Sequence, residues 1–271
     1  MRQTLLNLFG SKAQQQLLSR GAALRQVTRD TQHFTYYGRV VGVAQPQDAP
    51  IEDVIALARL QGNSHYADVP PDQVASITHA FEAEGLKPLL YARWEGSTVP
   101  LDRAKEIEGS VKWPAQYRLE LLSADTGNAT RQSLADTALA CGVLPPSLAV
   151  LSGQAQPGVC AMLVNGAGDV VACAAAASFL HPDYPMGRDI CWWGMLAVHP
   201  DHRGQGLSLP LGAQAILAMN EQFGFTSFFT GVEPGNSASE AVCTKMGLHL
   251  TKRCTIGVAD PALIPGGRMT K

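Results

Sequence analysis

The chain has 271 residues, 46% hydrophobic and 16% charged, a composition that fits a globular protein and excludes a disordered one. Its net charge of −2 excludes a general basic field for nucleic acid or an anionic membrane, so an anionic ligand must be held by a local site. The length allows one large or two small domains.

Residues 2–20 carry Leu5, Leu8, Phe9, Leu17 and Leu18 among glutamines and read as a helix interrupted near Gly10 and Ser11. Residues 34–43 (FTYYGRVVGV) are aromatic and β-branched and read as a strand. Ile51, Val54, Ile55 and Ala58 recur at helical spacing. Residues 72–84 form a second helix stopped by Gly85, and 87–94 (KPLLYARW) a strand. Residues 95–116, with Pro100, Gly109 and Pro114, read as a connection.

A second unit follows. Residues 117–122 alternate as a strand, and 127–141 form a helix ended by Gly142. Residues 159–164 and 170–179 are strands joined across a Gly-Asp turn, a hairpin signal. Residues 189–198 are the next strand, and a helix begins after Gly206 with Leu209, Ala213, Ile216 and Phe223 on one face and Pro210 in its first turn. Residues 225–232 are a strand. Ser237 to Glu240 has the form of a capping box opening a helix that Gly247 closes, and 249–258 are the last strand. The expected division is an N-terminal α/β unit, 1–112, and a second domain, 113–271.

Cysteines at 141, 160, 173, 191, 243 and 254 form no C-x-x-C pair and no zinc spacing. They read as buried free thiols, with no metal expected. The apolar run 5–9 is too short for a signal-peptide core. The longest small-apolar run, 170–177, is far below the ~20 residues of a membrane helix. A cytoplasmic protein is expected, with no membrane or nucleic-acid partner, as monomer or homodimer.

The chemistry centres on residues 195–208 (MLAVHPDHRGQGLS). An apolar strand, a glycine-containing turn and a helix N-terminus together make an anion site: free N–H groups converge, and the helix dipole favours negative charge. An ordinary strand–turn–helix joint is the alternative reading. The segment Arg203-Gly204-Gln205-Gly206-Leu207-Ser208 resembles the central motif of the GNAT acyl-CoA-dependent N-acyltransferases, Gln/Arg-x-x-Gly-x-Gly/Ala, with Ser208 standing at the last small position. A second GNAT motif, Asn-x-x-Ala-x-x-x-Tyr-x-x-x-Gly-Phe, is similar to Asn236, Ser239, Cys243, Gly247 and Leu248. The resemblance covers roughly 117–258. It implies a mixed, mostly antiparallel α/β (α+β) sheet flanked by helices, with acetyl-CoA as acyl donor. It also implies pantetheine contacts from Leu196, Ala197 and Val198 and diphosphate contacts from 203–208, with Asn236 in the second motif. The N-terminal unit reads either as a degenerate copy of the same domain, as an extension, or as half of a shared sheet.

An alkylamine with pKa near 10.4 is protonated at pH 7, a handicap of about 4–5 kcal/mol, so a general base is expected. Strand-end positions favour Glu233 and Asp189; His181, Asp183 and His199 are further candidates. Both favoured carboxylates read equally as solvated strand ends. His202 sits in the turn, where packing is its simpler role. Cys243 occupies the place of the family's tyrosine acid, either as a proton donor to the leaving thiolate or as a small buried residue. Trp192 and Trp193 point to opposite faces of one strand; one of them is a candidate wall of the acceptor pocket, and core packing is the equal alternative for both. The expected activity is acetyl transfer from acetyl-CoA to a small-molecule primary amine. A non-catalytic acyl-CoA-binding module is the alternative. A nucleotide-binding domain is disfavoured by the missing G-x-G-x-x-G and P-loop patterns.

Overall fold

The computed structural model describes residues 8–264. Ten strands, β1 (Phe34–Thr35), β2 (Gly42–Val43), β3 (Asn63–Val69), β4 (Lys87–Gly96), β5 (Tyr117–Leu121), β6 (Gly158–Asn165), β7 (Val170–Ala177), β8 (Ile190–Val198), β9 (Ser227–Val232) and β10 (His249–Ala259), make one sheet. Their order across it is β1-β2-β3-β10-β4-β9-β8-β7-β6-β5. Only β2–β3 and β8–β9 pair in parallel, so the sheet is mixed and mostly antiparallel, as expected. Among the described residues no helix is long and apolar enough to cross a membrane.

The sheet is covered on both faces. In β6 the alternate residues Cys160, Met162 and Val164 join one core and Val159, Ala161 and Leu163 the other, the period of two that a pleated strand imposes. The first core packs against α2 (Ile51–Gln61), α3 (Val74–Ala83), α5 (Asn128–Ala140) and the short α6 (Leu148–Leu151). The second packs against α4 (Thr98–Ser110), α7 (Ser208–Phe223) and α8 (Ser237–Lys245). Strand β7, VVACAAAA, is buried at every position. Small side chains there let α5 and α7 approach from opposite faces.

Strand pairing is continuous across residue 112. The last strand, β10, lies between β3 and β4, and β4 in turn pairs with β9. Strands from the two ends of the chain thus alternate in the middle of the sheet.

Several elements differ from expectation. The first helix is α1 (Lys12–Thr28), capped by Ser11 and Gln14 in a reciprocal capping box; residues 2–7 lie outside the described residues. Gly21 lies within it because a Cβ there would come 2.1 Å from the Arg39 carbonyl oxygen. Residues 34–43 do not form one strand. Tyr36 N–H donates to Phe179 O, Gly38 has φ +95°, and residues 36–41 leave the sheet as a loop between β1 and β2. The strand β3 was not expected, because its polar Asn63, Ser64 and His65 break the apolar pattern, yet it is almost wholly buried. Residues 98–110 form a helix, not a connection: Pro100 is tolerated in the first turn, and Leu101 and Ala104 bury one face. Asn236, not Ser237, caps α8, its side chain accepting from the Ser239 N–H at 3.2 Å.

Candidate active site

The parallel pair β8–β9 is a fork. Pairing holds at Ile190–Ser227, Cys191–Phe228 and Trp192–Phe229 and then stops. Beyond it β8 bulges: its register against β7 shifts between Cys173 and Ala175, and Met195 sits at φ +54°. An extra residue bends a strand and re-aims its backbone groups, which here turns β8 away from β9. The gap is a cleft of about 320 Å³ lined by Gly194, Met195, Leu196, Ser208, Thr230, Glu233, Asn236 and Cys243.

At the end of β8 the chain makes a single 3-10 turn, Pro200–His202, and then the glycine segment. Gly204 and Gly206 have φ +77° and +71°, and a Cβ on either meets nothing within 4 Å. The glycines are therefore needed for backbone conformation, and the space in front of them is open. Helix α7 starts at Ser208 with no side-chain cap and no acidic residue in its first turn. Its leading N–H groups and positive dipole end face that open space, a ready anion cradle. Tyr117 on β5 braces the turn from behind, its hydroxyl 2.7 Å from His202 Nδ1 and donating to Gln205 Oε1 at 3.3 Å. His202 is thus a packing element.

A second cavity, about 290 Å³, opens from the same fork on the opposite face of the sheet from α7. It shares Tyr91, Val143, Gly194, Met195, Thr230, Gly231 and Asn236 with the cleft. Its remaining wall includes Tyr37, Arg39, Asn63 and His65 from the N-terminal third of the chain, with Trp192 from β8. Tyr37 stacks on Trp192, ring centroids 5.0 Å apart, and the Arg39 guanidinium carbon lies 5.6 and 5.4 Å from the two rings. Trp193, on the other face, is core: its Nε1 donates to Gly212 O at 3.0 Å.

His65 in this wall is buried, with its Nε2 2.8 Å from Thr35 Oγ1. Burial lowers its pKa from 6.5 to about 4. The unfolded chain then takes up a proton near pH 6.5 while the folded chain does not until about pH 4, so acidification through that window removes stability, on the order of 3 kcal/mol. His65→Gln is expected to flatten the fall in denaturation midpoint between pH 6.5 and 4. An unchanged slope would show that other groups carry the acid sensitivity.

Of the residues singled out from sequence, Glu233, Asn236, Cys243, Leu196 and Ser208 line the cleft together. Gly204, Gln205 and Gly206 form the turn at its end. The Leu207 side chain is buried in the core, leaving only its backbone to the turn. Ala197 is buried, and the Val198 carbonyl accepts from Arg203 Nε at 3.2 Å and Cys141 Sγ at 3.1 Å. Arg203 therefore folds back on the strand end. Asp189 is not brought to the others: its carbonyl takes the Thr226 and Ser227 N–H groups at the closed end of the fork, about 16 Å from Gly194 by strand rise. His181 and His199 each accept from the N–H two residues on and organise their own loops. The pocket residues missed from sequence, Arg39, Asn63, His65 and Tyr91, lay in segments without a motif. A further cavity of about 420 Å³ lies at the closed end, where Arg93 is matched by Glu95 at 2.9 Å and Asp68 at 3.8 Å. It touches neither the turn nor the fork's open side.

Burial raises the Cys243 thiol to about 12. A donor so far above an ordinary thiol, near 8.5, is a poor source of a proton for a departing thiolate. Among the described residues no cluster of three or more His, Cys, Asp or Glu has a metal-holding arrangement.

Residues 134–248 match the family model described as Acetyltransferase (GNAT) family. No curated protein matches the chain. A GCN5-related N-acetyltransferase from Kribbella flavida is similar in structure at 13% identity, with 90% of this chain and 95% of that one covered and a TM-score of 0.55. A Drosophila protein aligns at 12% identity over 95% of this chain and 91% of its own, TM-score 0.52. At these identities the likeness is one of fold, and it spans both halves of the chain. The family model lies over the fork, the glycine turn and α8, so the sequence match and the geometry fall on the same residues.

Proposed function

We propose that this chain transfers an acetyl group from acetyl-CoA to the primary amine of a small molecule. The observation that carries this reading is the fork itself: an anion cradle at one end of a cleft whose other side adjoins a second cavity. A cradle with positive-φ glycines, open space before them and an uncapped helix start fits a diphosphate. The unpaired edge of β8 at Gly194 to Leu196 fits an extended pantetheine arm. Acetyl-CoA supplies an activated thioester. The protein's share is to hold the amine in the second cavity against the fork and to take its proton.

Glu233, at the open end of β9 and lining the cleft, is the proposed base. The amine nitrogen bonds to the acyl carbon, the carbon–sulfur bond breaks, and the amine proton passes to Glu233. The thiolate is then protonated from solvent, not from Cys243. Cys243→Ala is accordingly expected to keep thiol release within about threefold of the parent, since a thiol held near 12 donates poorly; a hundredfold loss would restore Cys243 as the acid. The absence of disulfides among the described cysteines suits a reducing, cytoplasmic setting.

Calorimetric titration with acetyl-CoA, followed by thiol release against an amine panel, tests the reading. No heat at high micromolar acetyl-CoA overturns it. Binding without turnover against any amine would leave a binding module.

A further inference from the structure

The acceptor cavity carries a charge that the protein does not neutralise. Arg39 is 7% exposed, and its Nε donates to the Leu144 carbonyl at 2.7 Å. Among the described residues no carboxylate lies within ion-pair distance of it. The comparison within the same chain is direct: Arg93, 5% exposed, has both Glu95 and Asp68. A buried cation without a counter-ion is unfavourable, and the two aromatic faces beside Arg39 offset only part of that.

A second observation lies in the same wall. The Asn63 Nδ2 group is buried and has no hydrogen-bond partner, with the residue 2% exposed. A buried donor left unmade is costly, and natural cores satisfy nearly all of them. No aspartate or glutamate lines this cavity among the described residues, so nothing there receives a second ammonium group. One unpaired cation and one orphan donor both ask for an acceptor oxygen.

We propose that the acceptor is a primary amine that also bears a carboxylate, an amino acid, with the carboxylate held by Arg39 and Asn63 and the amine directed to the fork. Tyr37 and Trp192 flank the position of that carboxylate and exclude water from it, which strengthens the ion pair. The proposal rests on the acyl-transfer reading for the direction of the amine, but the carboxylate site stands on the cavity alone.

The test uses the full chain and matched probes: the proteinogenic L-amino acids, their C-terminal carboxamides, and spermidine. Binding is read by calorimetry with and without coenzyme A, and turnover by thiol release from acetyl-CoA. At least one amino acid is expected to exceed its own amide roughly tenfold to hundredfold in affinity and in kcat/KM, the range a charge-assisted contact carries. Arg39→Met, which keeps the apolar stem, is expected to bring acid and amide within about twofold. Asn63→Asp places a carboxylate in the cavity and is expected to remove the acid's advantage without loss of fold. The proposal is overturned if amides or spermidine bind and react as well as the acids, or if no amino acid binds at millimolar concentration. Failure of acetyl-CoA itself to bind sinks the acyl-transfer reading instead, and the acid–amide difference in binding then still decides the carboxylate site.

Discussion

Glu233→Gln is expected to lower kcat/KM for amine acetylation by about two to four orders of magnitude at pH 7, the range typical of a lost general base. The residue ends β9 at the open side of the fork and lines the cleft with Asn236 and Cys243. The substitution keeps the size and shape of the side chain and removes its charge and basicity. An alkylamine near pKa 10.4 is almost wholly protonated at pH 7, while an α-amino group near 8 is less so, so the deficit should be largest with ω-amines. It should also shrink as pH rises toward the amine's own pKa, because more acceptor then arrives already neutral. A pH-independent loss would mark Glu233 as structural. A loss below threefold would remove it as the base and send the search to a solvent relay.

Gly206→Val is expected to weaken acetyl-CoA binding at least a hundredfold while lowering the melting temperature by only about 2–10 °C, with the fold retained. Two effects add. Valine at φ +71° is strained by about 1–3 kcal/mol. Its branched side chain would also stand in the open space before the turn, where a diphosphate approaches the backbone. Nothing lies within 4 Å of a Cβ built there, so the fold itself meets no clash. Calorimetry and a thermal scan on one preparation separate the effects. Wild-type affinity would show that the turn does not hold the diphosphate, whereas loss of fold would show that the turn tolerates no strain.

The parts of the site that were legible in sequence are the local ones. An apolar strand, a turn needing positive φ at two glycines and an amphipathic helix are each written within about 30 residues, and strand β8, the turn and α7 follow that reading closely. The motif positions of α8 were also legible, although its cap is Asn236 and not Ser237. Asp189 is a residue whose place no local pattern fixes. Its place at a strand end suggested the cleft, but a strand has two ends, and only the pairing of β8 with β9 shows which one opens. Cys243 could be located but not weighed, since its raised pKa comes from burial by neighbours distant in sequence.

The second cavity was not legible, for a physical reason. Strand β3 carries Asn63 and His65 on positions that an unliganded core would fill with apolar groups, so its sequence does not alternate as a half-buried strand does. The loop 36–41 looks like β-sheet by composition, yet Gly38 and the Tyr36–Phe179 bond take it out of the sheet and point Tyr37 and Arg39 into the cavity. Helix α4 was hidden by its proline and charges until α7 supplied a face to bury against. Sequence alone determined the strand, the glycine turn and the helix start that follows it, because short-range patterns of glycine, capping and periodicity encode them. The tertiary structure decided which carboxylate meets the fork and that Arg39 lines the second cavity. The first depends on where the β8–β9 pairing stops and the second on the Tyr36–Phe179 bond that turns loop 36–41 out of the sheet, contacts distant in sequence that no local signal records.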